Sequence, residues 1–313
     1  DDGYLTCLRA NTGELLWKIN GGPAERKVIG NHRLVSSWPA RGGPVVQDGK
    51  VYFSASIWPF MGIFIHAVDA ESGEILWTNS GDGTNYTVQP HGAPSFAAVV
   101  PQGHLAISGE NLVVPGGRST PAVFELATGK LKHFLFDKKN GGHHVMAGRD
   151  SYVVAGGTYN MVGGKRLSND EPRLAEGDFF VFEKKGSIYS KNPSTDEINF
   201  AIGVKEGPRK LFLKAGGRVY AAGDDKVAAY ETAGGEGDRI PAWLAEAKGS
   251  VHHMLAGDDK LFVVTDESRI YCFGAGAHSP KHYRVPKIDD LPGAAPGDRF
   301  AKLAASVLKE QGL

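Results

Sequence analysis

The sequence predicts an all-β fold made of short antiparallel strands that are grouped into repeated sheets. Three observations lead to this prediction: a phrase recurs along the chain, turn-and-strand units lie between its copies, and turn residues are abundant. The chain has 42 glycines and 17 prolines in 313 residues. They are spread between apolar segments, which is typical of many tight turns that join short strands.

The recurring phrase is a glycine-centred turn followed by a strand that ends in tryptophan. Residues 10–17 read ANTGELLW and residues 70–77 read AESGEILW. A looser copy at residues 127–131 places His133 where the tryptophan stands. Self-similarity at a long period predicts a repeat architecture. We therefore expect Trp17 and Trp77 to pack between neighbouring sheets, where a large ring fills the wedge.

Turn-and-strand units follow one another along most of the chain. Each would form an antiparallel meander of three or four strands, and such a meander is too short to be stable unless its neighbours cover its faces. Radial packing of four-stranded sheets is the β-propeller, so the sequence predicts a propeller with about five and a half blades visible. The units lie near residues 34–80, 95–137, 140–190, 198–249 and 250–274.

The two ends of the repeat region predict the domain organisation. Residues 2–8 align with residues 267–273 as the tip and third strand of a blade, so we expect the N-terminal part of the first blade to lie upstream. The propeller is predicted over residues 1–274. Residues 275–297 are rich in Pro, Gly and Ala and predict a linker. Residues 298–313 predict a helix, which either packs on the propeller rim or begins a downstream domain.

Composition narrows the classes of partner. The 35 basic and 35 acidic side chains cancel, which argues against a nucleic-acid partner. No stretch of about 18 apolar residues is present, so no transmembrane segment is predicted. Cys7 and Cys272 form no CxxC or adjacent pair, and each lies within an apolar strand pattern. We expect both to be buried free thiols.

The phrase at residues 69–77 resembles the repeat of the PQQ-binding-like β-propeller family, named after pyrroloquinoline quinone dehydrogenases. The resemblance covers residues 1–274. The segments WPARGGP (38–44) and PGGRS (115–119) are similar to a branch found in large multi-domain bacterial proteins, some with a further, methyltransferase-like domain. The resemblance implies a ring of seven or eight blades and an exported or periplasmic location. It does not imply quinone chemistry, since many members are scaffolds without a cofactor.

The dehydrogenases of that family hold the quinone over the central channel together with a calcium ion. A catalytic aspartate and usually a disulfide between adjacent cysteines complete their site. This sequence has no adjacent cysteines, and no local motif assigns the base or the ion ligands. No cofactor is therefore predicted, and a quinone enzyme with PQQ and calcium stays an alternative.

Histidines recur at one position of the repeat. Residues 143–148 read HHVMAG and residues 252–257 read HHMLAG, and a further histidine lies five residues before Gly109. In a propeller this position is the start of the innermost strand, at the channel mouth. Neutral imidazole is a common transition-metal ligand, but solvated side chains or an acid–base role fit equally. The ligand or metal candidates are His104, His143, His144, His252 and His253.

Two arginines and several aspartates complete the candidates. Arg41 and Arg118 adjoin glycine-rich turns, whose exposed N–H groups can hold an anion together with a guanidinium; pairing with a carboxylate at a strand end is the alternative. The pairs Asp224–Asp225 and Asp258–Asp259 are predicted as turn formers rather than calcium ligands.

These observations favour a non-catalytic propeller platform within a larger multi-domain protein. Its loops and channel mouth would bind a protein, a peptide or a carbohydrate. One alternative is a metal- or quinone-binding oxidoreductase that uses the channel mouth. The other is an architectural domain that positions a downstream catalytic domain.

Overall fold

The computed structural model describes most of the first 276 residues. The described residues are 2–30, 33–56, 58–82, 85–88, 92–97, 99–116, 119–135, 142, 144–154, 157–184, 186–276, 302, 305–306 and 309–310.

The first half of the chain forms three antiparallel sheets and two additional hairpins between them. Sheet 1 has two strands, and sheets 2 and 3 have four consecutive strands each. In chain order, sheet 1 is β1 (Tyr4–Leu8) and β2 (Leu15–Asn20); a hairpin is β3 (Lys27–Gly30) and β4 (Arg33–Ser36); sheet 2 is β5 (Ala40–Gln47), β6 (Lys50–Ala55), β7 (Phe64–Asp69) and β8 (Ile75–Asn79), with a 3₁₀ turn (Pro59–Met61) between β6 and β7; a second hairpin is β9 (Asn85–Val88) and β10 (Pro94–Ala97); sheet 3 is β11 (Ala106–Ser108), β12 (Asn111–Gly116), β13 (Ser119–Glu125) and β14 (Leu131–His133).

The second half of the chain forms four more sheets. Sheets 4, 5 and 6 each contain a four-stranded antiparallel meander, and sheet 7 has three strands. Sheet 4 is β15 (Met146–Ala147), β16 (Ser151–Val154), β17 (Gly157–Asn160) and β18 (Arg166–Ser168); sheet 5 is β19 (Leu174–Glu176), β20 (Phe179–Lys184), β21 (Ser187–Lys191) and β22 (Ile198–Val204); sheet 6 is β23 (Lys210–Ala215), β24 (Arg218–Gly223), β25 (Lys226–Glu231) and β27 (Trp243–Glu246), after the short β26 (Gly237–Arg239); sheet 7 is β28 (Val251–Gly257), β29 (Lys260–Thr265) and β30 (Ile270–Gly274).

One strand departs from the sequential order. β26 belongs to the loop between β25 and β27, but it pairs in parallel with β22 of the preceding sheet, with Gly203 opposite Asp238. An ion pair between Lys205 and Asp238, at 2.9 Å, lies beside this pairing. Sheet 5 therefore has a fifth strand that sheet 6 supplies.

The repeat of antiparallel four-stranded sheets confirms the predicted fold class, but the unit boundaries differ between residues 140 and 204. The predicted unit 140–190 contains the whole of sheet 4 and the first strands of sheet 5. The reason lies in the last turn of sheet 4, at residues 161–165. It lacks the Thr/Ser-Gly pair, and the strand that follows carries Ser168 where the phrase has tryptophan.

Neighbouring sheets bury each other's faces, as a propeller requires. Tyr52 and Ile65 of sheet 2 form one core cluster with Leu112 and Phe124 of sheet 3. A second cluster joins sheets 5 and 6, and a third joins sheets 6 and 7. The apolar residues of the central strands thus face the next blade.

Tryptophans seal the first two of these junctions, as predicted. The Trp17 Nε1 donates a hydrogen bond to the carbonyl oxygen of Ala70 at 3.0 Å, and its ring covers Gly73 in the last turn of sheet 2. One repeat later, the Trp77 Nε1 donates to the carbonyl oxygen of Leu126 at 3.2 Å. The glycine has a positive φ at each turn, and it leaves room for the ring.

The two cysteines are not both buried. Cys7 is half-buried, but Cys272 is exposed, so the prediction is wrong for Cys272. Side chains alternate along β30, and Tyr271 and Phe273 face the core there while Cys272 points outward.

The contacts divide the chain into two units, Asp1–Phe273 and Gly274–Leu313. In the second unit, described residues 302, 305–306 and 309–310 are α-helical, within the segment where the helix was predicted. Most of the predicted linker lies outside the described residues. Within the part of the chain that the structure describes, no helix is both long enough and apolar enough to cross a bilayer.

Candidate functional site

The candidate residues share one side of the propeller, which we call the front face. It is the side on which the first strand of each sheet begins. Two kinds of segment lie there: the connections from one sheet to the next, and the loops between second and third strands. The hairpins β3–β4 and β9–β10 are such connections, and the 3₁₀ turn Pro59–Met61 is such a loop. The front face therefore carries the largest insertions of the described propeller.

The predicted histidines lie at the start of first strands, as their spacing indicated. His104 precedes β11, His144 precedes β15, and His252 and His253 lie near the start of β28. All four are exposed. His143 lies outside the described residues, as does Arg118. The common position does not by itself bring the side chains to one point.

His252 has a specific partner. Its Nδ1 lies 3.1 Å from Asp266 Oδ1, and both side chains are more than half exposed. A register shift in β28 between Val251 and His253 turns two successive histidines towards solvent. Such an exposed pair contributes little to stability because water competes for both groups.

His104 and Arg41 lie near each other in the fold because two glycines allow it. A register shift in β5 between Arg41 and Val45 contains Gly42 and Gly43. A side chain at Gly42 would collide with the carbonyl oxygen of Gly103, and one at Gly43 would collide with the His104 ring. The glycines thus let the segment before β11 approach β5. Arg41 itself is exposed.

The described residues do not assemble a metal centre. Among them, no three His, Cys, Asp or Glu side chains stand close enough together to hold an ion. They do not match the calcium site that accompanies the quinone in the dehydrogenases of the resembling family. A metal- or anion-binding role for the histidines and for Arg41 stays a prediction.

An apolar patch on the front face was not anticipated from the sequence. It consists of four side chains on the 3₁₀ turn and on the β9–β10 hairpin, which contact each other. Their exposed fractions are high for apolar groups, and Tyr86 and Phe96 pack edge to face with ring centroids 5.2 Å apart. We call them the front-face patch: Phe60 (62%), Tyr86 (66%), Val88 (63%) and Phe96 (46%).

The hairpin's register explains why its apolar residues share a face. Phe96 is opposite Tyr86, and Pro94 is opposite Val88, so these four lie on one side of the hairpin. Thr87 and Ser95 lie on the other side. The segments 51–68 and 83–109 contain no Asp, Glu, Lys or Arg. The front-face patch is therefore an uncharged surface on a chain that is otherwise rich in charge.

A polar pocket of about 410 Å³ lies elsewhere on the front face, between sheets 6 and 7. Lys210 lies over the Phe212 ring at 4.8 Å, and the Asp225 carboxylate accepts a hydrogen bond from the Gly249 N–H at 2.8 Å. The Glu267 carboxylate accepts from the Ser250 N–H, which lowers its pKa. The acidic groups of this pocket thus hold its own loops. Asp224 and Asp225 both have positive φ, which confirms their predicted use in a turn.

A buried histidine joins sheets 1 and 2, and no pattern in the sequence indicated it. The His66 Nε2 lies 2.9 Å from the carbonyl oxygen of Gly21, and its Nδ1 lies 2.9 Å from Thr78 Oγ1. The ring stacks on Phe53, and burial lowers the pKa of the imidazole. His66 is thus a neutral structural group at the joint between the sheets.

Comparison with known proteins gives matches at three levels. Tetrathionate hydrolase from Acidithiobacillus ferrooxidans is 34% identical over 131 residues, which are 41% of this chain and 23% of the relative. The chain thus matches less than a quarter of that enzyme's length. A quinohemoprotein alcohol dehydrogenase from Comamonas testosteroni superposes with a TM-score of 0.52 at 13% identity, over 90% of this chain and 66% of that one.

The computationally designed protein Ika8 superposes with the same TM-score of 0.52 and 13% identity, over 87% of this chain and 91% of that one. At this level of identity the superpositions show the fold alone. A family model described as outer membrane protein assembly factor BamB matches residues 1–276. The repeats, the tryptophan junctions and this match together show that the chain belongs to that PQQ-like β-propeller family.

Proposed function

We propose that this propeller is a non-catalytic platform that binds a protein partner on its front face. The observation that carries the proposal is the front-face patch. Contiguous exposed apolar surface is uncommon on proteins that act alone, and it marks interaction sites. Tyr and Phe are enriched at the centres of protein interfaces, whereas charged side chains are depleted there.

The geometry of the patch supports this role. The sheets behind the patch are packed through a shared core that contains Tyr52, Ile65 and Phe124. The aromatic pair Tyr86–Phe96 is held on a hairpin, so a partner loses little entropy in meeting it. The description of the family model names an assembly factor for proteins, which also favours a protein as the bound molecule.

Photo-crosslinking in the cells that make the protein tests the proposal. A photoreactive phenylalanine analogue replaces Phe96 in one variant and Val162 in the other; Val162 is 86% exposed on a turn of the opposite face. We expect one defined protein adduct from position 96, lost when Tyr86→Asp is added, and none from position 162. Equal labelling from both positions, or none from either, would contradict the platform function.

The quinone-enzyme alternative has a separate test. Native mass spectrometry of the purified chain, before and after incubation with pyrroloquinoline quinone and calcium, measures whether either is retained. A retained adduct that alanine at His104 and His252 abolishes would replace the platform with the oxidoreductase at the channel mouth. We expect the same apo mass in both samples.

A further inference from the structure

We propose that the β3–β4 hairpin docks the propeller onto an anionic lipid surface. This hairpin is the connection between sheets 1 and 2, and its composition differs from that of the front-face patch. Two exposed aliphatic side chains, Ile29 (84%) and Leu34 (65%), are surrounded by the exposed cations Arg26, Lys27 and Arg33.

The register sets the aliphatic pair on one side of the hairpin. Ile29 is directly opposite Leu34, and Lys27 lies two residues before Ile29, so all three side chains point to the same face. Val28 and Val35 form the other cross-strand pair, and they are half-buried. The hairpin thus presents an outer face with two aliphatic groups and a basic margin.

The base of the hairpin is fixed to the body of the propeller. Ser36, Ser37 and Trp38 are buried, and the Ser37 N–H donates a hydrogen bond to the carbonyl oxygen of Arg26 at 2.8 Å. The Trp38 Nε1 donates to the carbonyl oxygen of Met61 at 2.7 Å. A projecting hairpin on such a base can push its outer side chains into another phase without unfolding.

The chemistry of the outer face favours lipid over protein. Residues 24–36 contain three cations and one anion, Glu25, which gives a formal charge of +2 (three minus one). Lysine is depleted in protein interfaces, and this face has no aromatic anchor. Lys and Arg next to aliphatic groups suit a membrane surface, where the aliphatic chains enter and the cations stay at the headgroups.

Vesicle co-sedimentation of the purified chain tests the proposal. The probes are vesicles of phosphatidylcholine alone and vesicles of one part phosphatidylglycerol to three parts phosphatidylcholine. We expect binding to the anionic vesicles only, weakened by high salt because the attraction is electrostatic. Failure to bind the anionic vesicles at low salt would overturn the proposal.

Two double variants locate the contact. Lys27→Ser with Arg33→Ser should weaken the partition by about 30-fold, the loss expected for two cations at an anionic surface. Ile29→Ser with Leu34→Ser should weaken it by about tenfold or more. The matched control, Lys50→Ser with Val162→Ser, changes an exposed cation and an exposed aliphatic group on the opposite face. Binding that the hairpin variants leave unchanged would also overturn the proposal.

The remaining outcomes are separable. The substituted side chains are exposed, so the thermal midpoint should move by no more than about 2 °C; if the aliphatic variant is less stable than that, the charge variant alone decides. Binding to poly-glutamate instead of vesicles, lost in the same variants, would assign the hairpin to an acidic protein and reject the lipid. None of these variants touches the front-face patch, so crosslinking at Phe96 is interpreted independently.

Discussion

The second and third junctions of the propeller use the same turn in different ways. Between sheets 2 and 3, Trp77 covers Gly129 and its Nε1 donates to a backbone carbonyl oxygen. Between sheets 3 and 4, His133 occupies the corresponding place against Gly164. Among the described residues, neither the His133 Nε2 nor the Tyr152 hydroxyl beside it has a hydrogen-bond partner.

The comparison shows that the packing position is retained where the polar contact is lost. A ring over a glycine is kept at both junctions, so shape alone keeps the sheets in place. Two buried polar groups without partners lower the stability of the third junction, because each lost its water on folding. We therefore expect the second junction to be the more sensitive to substitution, and four experiments test that expectation.

The largest effect is expected from Gly129→Ala. Gly129 has a φ of +71°, and a methyl group there would collide with the Trp77 ring. Gly13 is the matched control, since its φ is +72° but nothing lies within 4 Å. Urea unfolding should show a loss of about 1 kcal/mol for Gly13→Ala from backbone strain and about 3 kcal/mol or more for Gly129→Ala. Equal losses would show that the ring does not constrain the turn.

Trp77 itself should come next. Trp77→Ala removes the ring and should cost about 3 kcal/mol in the free energy of unfolding. Trp77→Phe keeps most of the ring and loses the hydrogen bond to Leu126, at a cost of about 1 kcal/mol. Leu76→Ala, on an exposed side chain of the same strand, should change stability by less than about 0.5 kcal/mol. A Trp77→Phe variant as stable as the parent would remove the polar part of the argument.

Acidification should weaken the fold through two histidines. Burial lowers the pKa of both His66 and His133 below its ordinary value. The folded state then binds fewer protons than the unfolded chain, so this stabilisation is present above about pH 6.5 and is lost as the pH falls. The urea midpoint should drop between about pH 7.5 and about pH 5. The drop should be smaller in His66→Gln, and an unchanged drop would argue against a neutral His66.

The smallest effect is expected from His133→Phe. Phenylalanine keeps a ring over Gly164 and removes the buried nitrogen without a partner. Stability at neutral pH should stay the same or rise by about 0.5 kcal/mol. The sign is thus opposite to that of Trp77→Phe, although both substitutions remove a ring nitrogen at the same place in the repeat. A loss of more than about 1 kcal/mol would mean that the His133 Nε2 is hydrogen-bonded after all.

Much of this architecture follows from the sequence because the repeat is a packing requirement. The Trp17 and Trp77 positions follow from the phrase, since the ring and the glycine must meet at each junction. The boundary between sheets 4 and 5 does not follow, because both the turn at 161–165 and the strand after it have lost the phrase.

The front face is harder to predict than the junctions. The start of a first strand is set by the repeat, so the positions of His104 and His252 were predictable. The front-face patch was not, because the alternation in residues 94–97 looks like that of a strand inside a blade. Local pattern cannot distinguish an apolar face that packs on a neighbour from one that meets solvent.

The parallel pairing of β26 with β22 has a consequence for how the propeller opens. A strand from sheet 6 is hydrogen-bonded to sheet 5, so neither sheet can detach without breaking bonds that belong to both. Local openings usually follow contiguous cooperative units. Amide protons of sheets 5 and 6 should therefore exchange with solvent as one unit, while those of sheets 2 and 3, which share no strand, are free to exchange separately.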